Sequence, residues 1–186
     1  AQTDPSKPDV MGSGVVGQIK AFQDVAVTGI AINGTAVTPG TVLSNRLVYC
    51  QAVRWRGSEV ADASTVAGVA YTVDLTMENG KPFCQISSPA VNLDVVNGRD
   101  VGVLDEYLTG TLKTNDVVWL VRKGPVCIKQ AAATSIASGS GVELTSSTGK
   151  IAVKSSGQSL GITILGAASA ATADTLVRVN LTSDDI

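Results

Sequence analysis

Apolar and polar residues alternate along most of this chain in short runs closed by glycine, proline, asparagine or serine. A period of two between turn-forming residues is the pattern of short, half-buried β-strands. It is clearest over residues 116–181, where Asp116-Val117-Val118-Trp119-Leu120-Val121 is followed by Gly124-Pro125-Val126-Cys127-Ile128. Ser159-Leu160-Gly161-Ile162-Thr163-Ile164 comes next, and Asp174-Thr175-Leu176-Val177-Arg178-Val179-Asn180-Leu181 closes the series. Upstream, apolar runs at 25–32 and 35–37 flank Asn33-Gly34, a pair suited to a type I′ hairpin turn. Pro39-Gly40 predicts a further turn, and residues 46–56 alternate through Leu47, Tyr49 and Val53 as a strand does. One short helix fits at 58–67, with Ser58 or Asp62 as its cap. Residues 69–77 return to strand, and Glu78-Asn79-Gly80-Lys81 turns the chain into Pro82-Phe83-Cys84-Gln85-Ile86.

Residues 91–95 alternate, Asn97-Gly98 turns, and 104–112 fits either a strand or a single helical turn. Ala131-Ala132-Ala133 favours helix, but Thr134, Ser135 and the loop Ser138-Gly139-Ser140-Gly141 cut it short; Ser155-Ser156-Gly157 is another loop. No long segment has a period of 3.6. The expected fold is therefore mainly β: a compact β-barrel or sandwich-like domain of short strands, with little helix. Pro5, Pro8, Gly12, Gly14 and Gly17 make residues 1–17 an extended N-terminal arm. Residues 18–115 form a β-rich region with a variable middle segment. Residues 116–186 form a C-terminal β-rich part of the same domain or a closely packed subdomain.

Composition sharpens the picture. At 186 residues the chain is long enough for one well-buried domain. Charged residues are 16% of it, below the ~25% typical of soluble domains, so little holds the surface away from neighbours and assembly is expected. The net charge is −2 with no Lys/Arg cluster beyond Arg54-Trp55-Arg56 and Arg122-Lys123, so nucleic acid is not an expected partner. Strand alternation sets Trp55 on one face and both arginines on the other. Cys50, Cys84 and Cys127 are far apart and odd in number, neither a disulfide framework nor a metal clip, and suit a reducing cytoplasm. No apolar run approaches the ~20 residues that span a bilayer, so no membrane partner is expected.

Reactive chemistry is sparse. The chain has no histidine, which removes Ser-His-Asp and Cys-His catalysis. Ser147-Thr148-Gly149-Lys150 has the spacing of a Ser-Lys pair but reads as an exposed turn. Gly12-Ser13-Gly14-Val15-Val16-Gly17 matches the dinucleotide glycine pattern, yet it lacks the preceding strand and the following acid. Asp105-Glu106 and Asp184-Asp185 are the adjacent acid pairs; without further acids at ligand spacing, the first reads as a solvated turn. No enzyme activity, cofactor or metal is expected. The scarce aromatics read as anchors, Trp119 in the core and Trp55, flanked by arginines, in core or interface.

The order of turns and strands over the last part of the chain resembles the head decoration (cement) proteins of tailed bacteriophages. The shared features are Asn115-Asp116-Val117-Val118-Trp119-Leu120, the strand beginning Leu160-Gly161-Ile162 after Ser156-Gly157-Gln158, and the run from Ala170 through Val179. Thr38-Pro39-Gly40-Thr41-Val42-Leu43 and Gly68-Val69-Ala70 match the opening of that pattern, whereas 78–115 has no counterpart in it. The resemblance implies a virion protein synthesised in the host cytoplasm that binds the major capsid protein on the outside of the expanded head. It also implies self-association, as a homotrimer or else a dimer. The interface residues expected on this reading are Pro5, Lys7, Pro8, Val10, Met11, Val15 and Val16 from the arm, with Arg54, Trp55 and Arg56. Alternatives are another virion component (head fibre base or tail) and a carbohydrate-binding β-module using Trp55 or Tyr107.

Overall fold

The computed structural model describes residues 16–182, except 28–29, 33, 76, 79–80, 83, 92–93, 96, 98, 133–134, 146–147, 156–158 and 165–171. The strands are β1 (Ile19–Val25), β2 (Ile30–Ile32), β3 (Thr35–Val37), β4 (Val42–Trp55), β5 (Ala70–Thr72), β6 (Met77–Glu78) and β7 (Lys81–Pro82). They continue with β8 (Gln85–Ile86), β9 (Val101–Leu104), β10 (Val117–Lys129), β11 (Gly141–Leu144), β12 (Ile151–Val153), β13 (Gly161–Thr163) and β14 (Leu176–Leu181). The mainly β expectation holds. Ten strands join one sheet whose path runs β1-β4-β10-β14-β13-β11-β12, with β8 on β4 and with β9 and β5 on the flank of β10.

This sheet is open, where the sequence left a closed barrel possible. It nevertheless curls, because an isolated parallel bridge between Gln130 and Ile151 brings β12 back to the end of β10. Almost every pairing is antiparallel; β8 alongside β4 is the parallel one among the named strands.

Strand β10 organises the rest. Its 13 residues are almost all buried, because both of its faces are covered. Val117, Trp119 and Val121 point into one core with Val48, Cys50 and Ala52 of β4 and, further along, Val126, Ile128, Val177 and Val179. Val118 and Leu120 point into a second core with Val53, Trp55, Tyr71, Ile86, Leu108 and Leu112. A strand covered on both faces loses the in-out alternation and reads as an unbroken apolar run. That explains the sequence Val117-Val118-Trp119-Leu120-Val121.

The apparent break at Gly124-Pro125 is not one, and the two runs expected on either side of it are a single strand. β4 last registers on β10 at Lys123, after an irregularity between Val121 and Lys123, so the proline follows the end of that ladder. Gly124 is required for a different reason. It has φ +99, and a Cβ there would lie 2.4 Å from the Leu47 carbonyl oxygen.

Several turn expectations are met. β2 and β3 pair with Ile32 opposite Thr35, and β6 and β7 with Glu78 opposite Lys81, as expected for hairpins, while Asn33 and Asn79-Gly80 themselves lie outside the described residues. Gly40 takes φ +83 in the turn after Pro39. The short helix is one 3₁₀ turn, Ala63–Thr65, capped by Asp62, whose carboxylate accepts from the Ser64 N–H at 3.0 Å. Residues 104–112 leave β9 at Leu104 and enter a turn. The alternation at 91–95 misleads, since Asp94 and Val95 are helical. There the Asp94 carboxylate accepts from Val91 N–H at 3.0 Å, the Thr72 hydroxyl at 2.6 Å and Arg99 at 2.9 Å, holding a turn together. The β11–β12 hairpin had no distinct signal in the sequence.

Gly124→Ala should lower stability by at least about 2 kcal/mol, the sum of backbone strain and a clash with a carbonyl that cannot withdraw without breaking the β4 ladder. Urea unfolding checks this; an unchanged midpoint would mean that β4 can shift away.

Candidate functional site

The second core does not cover the whole sheet. On β4 it buries Val53 and Trp55, leaves Tyr49 half-buried, and leaves Leu47 exposed at 48%. Register extends this bare half. Ala21 lies opposite Tyr49 and Ile19 opposite Gln51 on β1, while Lys123 lies opposite Tyr49 on β10. Because alternate positions share a face, Ile19, Ala21, Leu47, Tyr49 and Lys123 line one outward surface. Ile162 of β13, opposite Asn180 of β14, adds a further exposed apolar side chain. A groove lined by Arg46, Leu47, Tyr49, Lys123, Asn180 and Thr182 runs between these strands. Its floor is apolar and its rim carries two cations. β1 ends the path of the sheet and has no ladder neighbour on its outer side among the described residues.

Of the residues expected at an interface, Val16, Arg54, Trp55 and Arg56 are described. Pro5, Lys7, Pro8, Val10, Met11 and Val15 lie outside the described residues. Val16 packs against both cores, and Gly17 N–H donates to the Ala52 carbonyl at 2.7 Å, so the inner end of the arm belongs to the domain. Arg54 and Arg56 do share one side, as alternation predicts: both donate to Asn115, to its carbonyl at 3.2 Å and its side-chain oxygen at 2.6 Å. They clamp the turn before β10, where Asn115 has φ +76. Trp55 is a core residue in this chain, 4% exposed, edge-on to Tyr71 and donating its indole N–H to the Ser58 carbonyl at 2.9 Å. Tyr107 is buried as well. Neither ring is available as a sugar platform.

Asp105-Glu106 corrects the expectation more sharply. It is no solvated turn: Asp105 is buried and Glu106 half-buried, in a polar cluster built from distant elements. β1 supplies Asp24, β4 supplies Cys50, and β10 and β14 supply Cys127 and Arg178, which stand opposite one another in register. Arg178, 1% exposed, donates to Asp24, which also accepts from the Ser44 hydroxyl. Arg178 thus faces both Asp24 and Glu106. Burial pushes the Glu106 carboxyl up to about 8, and the neighbouring Asp105 adds to the shift. The Cys50 and Cys127 thiols are also pushed well up, first by burial and then by these acids. Thiols held protonated in this way are inert at neutral pH. No group of three or more Cys, Asp or Glu at metal-ligand spacing occurs among the described residues. The signal for this cluster in the sequence was a lone buried-strand arginine, Arg178 between Val177 and Val179, which cannot stay unpaired.

No protein-family model matches the chain. No curated protein matches it either. Among solved structures, it is similar to the N base of head fiber gp8.5 in bacteriophage phi29, at 14% identity and a TM-score of 0.43, over 73% of this chain and 94% of that one.

Arg178→Met should cost about 3–5 kcal/mol, because it strands Asp24 in the interior, and adding Asp24→Leu should recover a large part of that loss. A double-mutant cycle by urea unfolding measures it; a loss in the double variant equal to the sum of the two single losses would show that the pair is not coupled. Glu106 gives a pH dependence of definite sign. Its folded value lies above the ordinary 4.5, so the folded state holds a proton that the unfolded chain releases. Its contribution is intact below about 4.5 and is lost as pH rises through about 8. Glu106→Gln should therefore be more stable than the parent by about 1–3 kcal/mol at pH 9, a margin that narrows toward pH 5. Urea midpoints at the two pH values decide this. Asp94 works on the acid side: burial opposes its ionisation, but Thr72, Val91 N–H and Arg99 overcome that and hold it below the ordinary range. Its stabilisation is present above the ordinary value and fades as pH falls through the lowered one.

Proposed function

We propose that this chain is a structural virion protein that binds the outer surface of a tailed-phage head and reinforces the expanded shell. The observation that carries the reading is the bare half-face of the sheet. A rigid scaffold with two buried cores leaves Ile19, Leu47 and Ile162 exposed and beside a groove rimmed by Arg46 and Lys123. That surface suits docking on a protein partner better than holding a small substrate. The turn-and-strand order over 115–179 that resembles phage decoration proteins agrees with it. On this reading the partner is the major capsid protein and the chain self-associates as a homotrimer. Several weak contacts per oligomer then give tight binding through effective concentration. Residues 1–15 add a second contact to the shell. The reading assigns no catalysis, cofactor or metal.

Co-sedimentation of the purified chain with expanded, undecorated capsids tests it. Saturation at one copy per capsid subunit is the expected result. Leu47→Asp should weaken binding about 10- to 100-fold, the equivalent of about 1.5–3 kcal/mol of lost leucine burial, without unfolding the chain. Deleting residues 1–15 should weaken it further. An absence of binding to intact expanded heads would overturn the decoration role and leave a fibre-base or tail component as the reading.

A further inference from the structure

Under β1 the polar cluster encloses a small cleft of about 40 Å³, walled by Asp24, Val48, Cys50, Glu106, Tyr107 and Pro125 among others. Most polar groups around it are accounted for. Asp24 binds Arg178 and Ser44, and Asp105 accepts from the Tyr107 backbone N–H at 2.9 Å. The Tyr107 hydroxyl is different: it is fully buried, with no hydrogen-bond partner among the described residues, on a residue only 5% exposed. A buried hydroxyl left without a partner is rare in folded proteins, and such groups are regularly satisfied by an ordered water. The volume is sufficient for roughly one or two waters, each of which needs two to four polar partners. The surroundings supply them in the Tyr107 hydroxyl and the carboxyls of Asp105 and Glu106.

We propose that this cleft is a water-binding site, in which ordered water accepts from the Tyr107 hydroxyl and donates to the Asp105–Glu106 carboxyls. Water fits the site better than a cation does. Arg178 already provides a positive charge at Asp24, and the acids and thiols present do not converge at metal-ligand spacing among the described residues. The groups facing Glu106 come from every element packed there: Asp24 of β1, Cys50 of β4, Cys127 of β10, Arg178 of β14, and Asp105 and Tyr107 beside it. A bound water would satisfy the Tyr107 hydroxyl within the turn that follows β9.

A high-resolution crystal structure of the full chain grown near pH 6 tests the proposal directly. The expected result is density for water within hydrogen-bond distance of Tyr107 Oη and of a carboxyl oxygen. A dry cleft, a Tyr107 Oη bonded directly to a protein group, or a cation in the water's place would each overturn it. Tyr107→Phe keeps the ring and removes the donor, and it should lose that density, whereas Glu106→Gln keeps a donor and acceptor and should retain it. Should Tyr107→Phe fail to fold, the parent density and the Glu106→Gln structure still decide. The site is independent of the capsid reading, since failed capsid binding leaves the density unchanged.

Discussion

The rest of the structure depends on one strand being buried on both of its faces. β10 gives alternate side chains to two separate cores, so Trp119 and Leu120 are neighbours in sequence and lie in different interiors. Neither core can be assembled without it. Phe22 meets the edge of Trp119 from β1, at 5.4 Å between ring centres, while Tyr71 meets Trp55 in the same edge-on manner on the far side. Each geometry sets the electropositive rim of one ring against the face of another. Strain in β10 therefore reaches both cores at once, which is why the close approach at Gly124 matters more than its place between two strand halves suggests.

The same geometry creates the polar cluster. Beyond Gly124, the side of β10 and β14 that carries Cys127 and Arg178 faces away from the first core and toward the underside of β1 and the turn after β9. Long side chains from four elements meet there, and one guanidinium faces the carboxyls of Asp24 and Glu106. The cost of burying charge is met partly by the Asp24–Arg178 pair and partly by a proton kept on Glu106. An apolar filling of equal volume would be no less stable, but it would not fix how β1 seats against β14, since only a directional pair discriminates between registers.

Much of the strand layout could be read from the chain because local turn chemistry is strong. The strands on either side of the Asn33-Gly34 and Asn79-Gly80 signals pair as hairpins, Gly40 turns after Pro39, and Asp62 capped its helical turn as a short acceptor at that position should. What failed to show were features made by contact between distant segments. Gly124-Pro125 has the local look of a break, yet it continues a strand, because the neighbouring β4 ladder ends just before the proline. Asp105-Glu106 has the look of a solvated turn, yet Cys50, Cys127 and Arg178 close over it from strands far away in sequence. Trp55 between two arginines has the look of a surface anchor, yet alternation turned it toward Tyr71 and sent both arginines to Asn115.

The bare half of the sheet follows from a mismatch in length. β4 runs for 14 residues, but the segments that build the second core, from the 3₁₀ turn through β5, β8 and the loop to Leu112, cover only its C-terminal end. On the uncovered part the outward positions become Leu47 and Tyr49, next to Ile19 and Ala21 of β1. A free-standing protein would be expected to place charge on such a surface, above all beside a strand such as β1 that has no outer ladder neighbour among the described residues. Here the cations stand at the rim and the middle stays apolar. The same strand thus gives its C-terminal half to the chain's own core and its N-terminal half to an outward surface that the second core leaves uncovered.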